Sequence, residues 1–184
     1  LSSVADALFA KLKEGGEANL LGTIIALTSS LESNDLQLSS LNSTTENVLQ
    51  TLGWNGQIEN KPCPTSPCYS DFIYSVDSNF GVNKANFYVS KTTNLAIAVS
   101  KEGLLNTTLT TTWDNKASSN AWPAGSYKNY ARVYLPSNVE VTGVKIGERT
   151  LSTNDYSITS EHGHKVISYL LTVPISSKLS SEIT

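Results

Sequence analysis

LNTTLTTTW, residues 105–113, decides the fold class of this chain, because its side chains alternate strictly along the backbone. Leu105, Leu109 and Trp113 fall on one face of an extended chain, while the opposite face carries only Asn and Thr. A period of two in β-branched and aromatic residues is typical of a strand that buries one face. The stretch therefore predicts a half-buried β-strand.

The same period recurs on both sides of this stretch, from residue 72 to residue 173. The alternating segments cover residues 72–76, 87–99, 130–135, 139–146, 156–158 and 166–173. Turn-forming residues separate them, as at Lys101-Glu102-Gly103 and Pro136-Ser137-Asn138. Several short strands with frequent turns predict an antiparallel β-sandwich or an open barrel.

The first 60 residues carry a helical period instead. Apolar residues spaced by four predict one helix over 4–12 and a second from 17 to about 31. The buried face of the second would comprise Leu20, Ile24, Leu27 and Leu31. The fold class is therefore α+β, with a helical segment over 1–60 and an antiparallel β-sandwich-like domain over 61–184.

Two further elements are predicted inside the helical segment. Ser43 and Glu46 have the spacing of a capping box, which predicts a third helix beginning at Ser43 or Thr44. Leu36 and Leu38 alternate with polar neighbours and predict a short strand before it. We interpret the helical segment as the end of an upstream domain, and the sandwich as truncated at its C-terminus.

The composition excludes several classes of partner. Only 16% of the residues are charged, the net charge is -3, and Arg132 and Arg149 are the only arginines. Such a chain has no basic field for nucleic acid or for an anionic membrane surface. No apolar run is long enough to span a bilayer. We therefore expect no nucleic-acid partner and no membrane span within this chain.

The two cysteines, Cys63 and Cys68, enclose a short loop that contains two prolines. Prolines restrict their own backbone and that of the preceding residue, which keeps the sulfurs close enough for a disulfide. Free thiols and redox or metal roles stay open as alternatives. A disulfide indicates an oxidising compartment, so the loop predicts an extracellular or periplasmic location.

Two segments carry candidate metal ligands. His162 and His164 flank a glycine, and imidazoles two positions apart on a strand can chelate one ion. Asp77 and Asn79 begin a run of oxygen-bearing residues spaced by two, as in calcium loops. The alternative for both segments is an ordinary polar turn, and we expect no resident cofactor.

Three aromatic residues, Trp122, Tyr127 and Tyr130, form a candidate platform for stacking on sugars. The alternative is that these side chains anchor the core and its turns. The sequence contains no Gly-x-Ser-x-Gly elbow and no evident carboxylate pair, so it gives no candidate catalytic residue. Lys84 is expected to pair with Asp77, and it is a weak candidate for an isopeptide bond.

Three phrases, at residues 53–58, 75–89 and 122–136, give the chain a family resemblance. They read GWNGQI, SVDSNFGVNKANFYV and WPAGSYKNYARVYLP. In this order they resemble the C-terminal part of the bacterial envelope family known as domain of unknown function 4012. The resemblance implies a membrane-anchored parent with an exposed extracellular region, and it implies no assigned activity.

These observations predict a non-enzymatic extracellular module of a membrane-anchored bacterial surface protein, with a structural, adhesive or assembly role. Its partners would be a cell-wall polymer or other surface proteins, and its oligomeric state stays open. Two alternatives remain: a module that binds cell-wall glycan, and an accessory domain of an envelope enzyme whose active site lies upstream.

Overall fold

The computed structural model describes residues 6–7, 10–11, 20–58, 65 and 71–184. The chain divides into two compact units, Leu1–Asn60 and Lys61–Thr184. The first unit is helical and the second contains two antiparallel sheets, which confirms the predicted α+β class and its sandwich-like second part.

Two helices make up most of the described part of the first unit: α1 (Leu20–Glu32) and α2 (Ser43–Thr51). Residues 6–7 and 10–11, inside the first predicted helix, are also helical. The predicted buried face of α1 is only partly correct, since Leu31 is buried but Ile24 and Leu27 are about half exposed. None of the described helices is long and apolar enough to cross a membrane.

The start of α2 lies one residue from its predicted cap. Asn42 is the N-cap, and its Oδ1 accepts from the backbone N–H groups of Thr44 and Thr45 at 3.0 and 3.1 Å. Glu46 does not close a capping box. Its carboxylate accepts from the Ser40 N–H at 2.7 Å and from the Asn55 side chain, which lowers its pKa.

The strand predicted around Leu36 and Leu38 is absent, because that segment makes no ladder. Leu38 donates a single backbone hydrogen bond to the Trp54 carbonyl, at 2.9 Å. Residues 37–40 have neither helical nor strand geometry. Alternation over so few residues therefore does not produce a strand here, and the segment is an irregular connection between the two helices.

The described part of the second unit contains nine strands and one 3₁₀ helix, Ala85–Tyr88. The strands are β1 (Tyr74–Asn79), β2 (Val89–Val99), β3 (Leu105–Asn115), β4 (Tyr127–Pro136), β5 (Val144–Ile146), β6 (Arg149–Thr150), β7 (Tyr156–Glu161), β8 (His164–Val173) and β9 (Ser177–Ile183). Sheet A has the order β1-β4-β8-β7, and sheet B has the order β2-β3-β9-β5-β6. Every described pairing is antiparallel.

The core lies between the inward faces of the two sheets. Sheet B contributes Leu109, Trp113 and Ile183, and sheet A contributes mainly Tyr127, Ala131, Val133, Ile167, Tyr169, Leu171 and Val173. Trp113 is 2% exposed, so the stretch that predicted a half-buried strand does supply a central core residue. The Tyr169 hydroxyl and the Ser181 Oγ lie 2.7 Å apart and join the sheets by a buried hydrogen bond.

The strands β1 and β2 are both edge strands, one in each sheet. β2 pairs with β3 along its whole length, from Val89 opposite Asn115 to Val99 opposite Leu105. β9 pairs with β3 only as far as Leu109. The outer part of the β2–β3 hairpin therefore extends beyond the end of β9.

Candidate functional site

The candidate site lies between β1 and β2, where strand register turns polar side chains toward the core. Asn129 is fully buried, and it pairs with Asn79 across β1 and β4. Because side chains alternate between faces, Asp77 lies on the same inward face of β1. Lys91 on β2 is opposite the buried Trp113 of β3, so it also points inward.

One carboxylate joins these residues into what we name the Asp77 cluster: Asp77, Lys91, Asn129 and Ser75. Asp77 Oδ2 lies 2.7 Å from Lys91 Nζ, and Asp77 Oδ1 accepts from Asn129 Nδ2 at 2.6 Å. Lys91 Nζ also donates to Ser75 Oγ at 2.7 Å. The lysine amine and the asparagine amide are thus held on the two oxygens of one carboxylate.

The cluster is shielded from water but not sealed. The side chains of Lys91 and Asp77 are 26% and 21% exposed. Lys91 as a whole residue is exposed, because β2 is an edge strand and its backbone faces solvent, whereas its side chain turns inward. An ion pair in this position is screened less than one on the open surface.

Aromatic side chains surround the cluster. Lys91 Nζ lies 5.9 Å from the ring centroid of Trp113, within the range of a cation–π contact. Burial raises the pKa of Tyr127 and of Tyr169 to about 12, and the negative charge of Asp77 adds to both shifts. Asp77 therefore acts electrostatically on both tyrosine hydroxyls.

Two buried polar atoms near this layer lack partners within the described residues. They are Asn129 Oδ1, an acceptor, and Trp113 Nε1, a donor. Buried polar groups are normally satisfied, so the amide oxygen of Asn129 is an exception in a cluster that is otherwise hydrogen-bonded. Asn129 thus combines full burial with unused hydrogen-bonding capacity.

An asparagine-rich loop closes the adjacent end of the sandwich. Asn79 Nδ2 donates to the Asn83 carbonyl at 3.0 Å, and Asn79 Oδ1 accepts from the Gly81 N–H at 2.8 Å. Asn83 Nδ2 donates to the Ser126 carbonyl at 3.1 Å. These side chains substitute for a backbone ladder and fix the loop between β1 and β2.

The predicted calcium ligands are therefore occupied by protein groups. Asp77 contacts Lys91 and Asn129, and Asn79 is bonded within its own loop. The predicted ion pair between Asp77 and Lys84 is also wrong, since Lys91 takes that place. Glycine at 81 and the turn that follows serve the loop geometry, as the polar-turn alternative expected.

The two histidines do not share a face. His162 has a φ of 50° and Gly163 a φ of 76°, which makes them the turn between β7 and β8. His162 is exposed, whereas His164 begins β8 with its side chain fully buried. The described residues contain no group of three or more His, Cys, Asp or Glu side chains placed to bind a metal.

His164 lies in an aromatic pocket. Its ring is 4.4 Å from that of Phe72 and 6.4 Å from that of Tyr134, measured between centroids. Neither ring nitrogen has a hydrogen-bond partner in the described part of the chain. The His164 ring therefore packs against aromatic rings without making a hydrogen bond within the described residues. The chelating pair that was one interpretation of the sequence does not form.

The predicted sugar platform does not form from all three aromatic residues. Trp122 is 75% exposed, but Tyr127 is 4% exposed and belongs to the core. Tyr130 lies on the other face of β4, where its ring packs edge-on against Phe80 at 5.9 Å. Because Tyr127 and Tyr130 are three positions apart on a strand, they face opposite sides. Cys63 and Cys68 lie outside the described residues.

Sequence reasoning missed Lys91 and Asn129, although a signal was present. Lys91 lies on the same face of the strand as Val89, Leu95 and Ile97, so it is the one charged residue on a mainly apolar face of β2. Asn129 likewise shares parity with Ala131. A polar side chain on the core-facing side of a strand indicates a hydrogen-bond or ion-pair partner inside the fold, because burying a polar group without a partner costs free energy.

The edge strand β2 lacks the features that usually prevent an edge strand from pairing with another chain. From Thr92 to Val99 it contains no charged residue and no proline. Leu95, Ile97 and Val99 are 40%, 52% and 66% exposed. Natural edge strands are usually interrupted by charge, proline or bulges, which prevent pairing with other chains.

No family model, no curated protein and no solved structure matches this chain. The resemblance to the envelope family therefore stays a prediction.

Proposed function

We propose that this chain is a non-enzymatic extracellular module of a membrane-anchored bacterial surface protein, and that it serves assembly. The observation that carries the proposal is the open edge of β2 with its uncharged stretch Thr92–Val99. An edge of this kind presents unpaired backbone N–H and C=O groups to any strand that can align with it. The resemblance to the envelope family and the predicted disulfide supported the compartment from the sequence.

The occupant that we propose for this edge is β2 of a second copy. Two copies of one strand can pair in antiparallel orientation about a two-fold axis, which makes the contact self-complementary. The uncharged stretch Thr92–Val99 brings no like charges into opposition in such a pairing. The exposed side chains of Leu95, Ile97 and Val99 would then pack along one face of the joined hairpins.

The hairpin tip strengthens this assignment. Leu104 and Leu105 are 68% and 44% exposed, next to Val99 at 66%. A contiguous apolar patch at the end of a projecting hairpin is a feature of interaction surfaces. A second copy would cover this patch together with the strand edge.

Sedimentation velocity of the full chain over a range of concentrations tests the proposal. We expect self-association that Ile97→Lys weakens by about tenfold or more, because the charge would have to be buried in the paired edge. The matched control is Ile158→Lys, on the edge strand β7 of sheet A, where Ile158 is 46% exposed. A wild-type chain that stays monomeric, or equal weakening by both variants, would contradict the proposal.

The compartment and the absence of catalysis have their own tests. A mass two hydrogens lower under non-reducing than under reducing conditions would support the predicted disulfide between Cys63 and Cys68, and with it an oxidising compartment. Hydrolase or transferase activity in this chain alone would contradict a non-enzymatic role.

A further inference from the structure

We propose that Lys91 and Asn129 become joined by an intramolecular isopeptide bond, with Asp77 carrying the protons. The sequence pointed weakly to Lys84 for such a bond, but the structure brings a different lysine to the acid that also holds the amide. The inference stands on the Asp77 cluster and does not depend on the proposed assembly function.

The geometry supplies the three groups that the reaction needs. Lys91 Nζ, the nucleophile, lies 2.7 Å from Asp77 Oδ2. Asn129 Nδ2, which would leave, lies 2.6 Å from Asp77 Oδ1. One carboxylate thus contacts both the nitrogen that must lose protons and the nitrogen that must gain them.

The reaction balances without a co-reactant. Asp77 accepts a proton from the Lys91 ammonium, and the freed electron pair of Nζ attacks Cγ of Asn129. As the Nζ–Cγ bond forms, the Cγ–Nδ2 bond breaks and its electron pair goes to Nδ2. Two of the three lysine protons end on that nitrogen, which departs as ammonium, and Asp77 returns to its starting state.

The surroundings favour this chemistry over a simple ion pair. Trp113, Tyr127 and Tyr169 belong to the buried core and limit the access of water, which would otherwise solvate the lysine charge more fully. Asn129 is fully buried and its Oδ1 has no partner in the described residues, so the unreacted amide is poorly satisfied. Reaction removes the lysine charge from the cluster and replaces the amine and the primary amide by one secondary amide.

The bond would fasten an edge strand. Lys91 lies on β2 at the open side of sheet B, and Asn129 lies on β4 inside sheet A. Their link would join the two sheets covalently across the core, at the side where neither sheet has a further strand among the described ones. The edge strand could then not peel away without breaking a covalent bond.

Intact mass spectrometry of the full chain, denatured and in reducing agent, tests the inference. We expect the wild-type mass to be lower than the sequence mass by one ammonia. The variants Lys91→Arg, Asn129→Ala and Asp77→Asn should each keep the full sequence mass. Lys91→Arg keeps the positive charge beside Asp77, and circular dichroism checks that it is folded.

Two controls localise the loss. Lys84→Arg should lose ammonia as the wild type does, because Lys84 is not part of the cluster. Fragmentation of a protease digest should give one cross-linked pair of peptides containing Lys91 and Asn129. Ring closure at Asn55-Gly56 also releases ammonia, but it would persist in Lys91→Arg. A wild type at full sequence mass, or an ammonia loss that is the same in the wild type and in Lys91→Arg, would overturn the inference.

Discussion

The partly exposed Asp77 cluster and the fully buried His164 are two polar sites in the second unit, and they differ in what surrounds them. Asp77 has an amine on one carboxylate oxygen and an amide on the other, supplied by both sheets. His164 has aromatic rings for neighbours and no partner for either nitrogen in the described residues. Burial alone therefore does not identify a functional group in this molecule.

The difference lies in what each site could do with a proton. The cluster holds the Lys91 amine, a proton donor, in contact with the Asp77 carboxylate, which can accept a proton. Among the described residues, neither nitrogen of the His164 imidazole has a hydrogen-bond partner. We therefore interpret the cluster as a reactive site and His164 as a packing residue, and four measurements can break or sharpen this contrast.

The largest effect is expected from Asp77→Ala. In this variant Lys91 and Asn129 stay unlinked, and the Lys91 charge and the buried Asn129 amide lose their partner, which should lower the free energy of unfolding by at least about 3 kcal/mol. Urea denaturation monitored by tryptophan fluorescence measures it. Glu140→Ala, which removes an exposed acid, is the matched control. Equal stability of the two variants would show that the Asp77 cluster does not stabilise the fold.

The next effect concerns alkaline pH. Tyr169 is 2% exposed, and its pKa is raised to about 12, mainly by burial. An unfolded tyrosine ionises near pH ~10, so between the two values the unfolded state binds fewer protons than the folded state. Stability should therefore fall as pH rises through this window, by roughly 2–3 kcal/mol for this residue.

Urea midpoints below and above this window measure the fall, and the tyrosinate absorbance follows the ionisation. Tyr169→Phe should lower stability at neutral pH, because it removes the hydrogen bond to Ser181, yet it should make the alkaline fall shallower. Asp77→Asn should bring the ionisation of Tyr169 to lower pH, since the negative charge of Asp77 raises the pKa of Tyr169. If Tyr169 ionises like free tyrosine, its hydroxyl is in contact with solvent and is not influenced by Asp77.

The fold class could be predicted because it follows from the spacing of apolar residues along the sequence. The alternation from Leu105 to Trp113 marks a strand with one buried face, and the structure has β3 there. The helix caps were less predictable, because Asn42 and Ser43 are both good caps and only backbone geometry decides between them. Such local competition shifts an element by one residue without changing the fold.

The candidate site could not be predicted, because it depends on strand order. β1 pairs with β4, and β2 belongs to the other sheet, so Asp77, Lys91 and Asn129 meet only once the sandwich has formed. Each residue alone shows only that a polar side chain lies at a strand position that faces the core. The sequence pointed to Lys84 because it is closer in the chain, whereas register places Lys91 at the carboxylate.

A smaller effect, of opposite sign, is expected from His164→Leu. The imidazole gains no hydrogen bond in the described structure, so an apolar side chain in its place should leave stability unchanged or raise it by about 1 kcal/mol. Asn115→Leu is the control, because Asn115 is equally buried but donates to the Gly125 and Val173 carbonyls. A strongly destabilised His164→Leu together with a tolerated Asn115→Leu would reverse our interpretation of His164.

The smallest effect is expected from Lys145→Ala. Lys145 and Glu182 pair at 3.1 Å, much as Lys91 and Asp77 do, but their side chains are 52% and 36% exposed. Solvent screens such a pair and its side chains lose entropy in forming it, so the change should stay below about 0.5 kcal/mol. The same urea titration measures it. If Lys145→Ala costs as much as Asp77→Ala, then charge pairing alone stabilises this sandwich, and the enclosure of the Asp77 cluster between the sheets adds nothing.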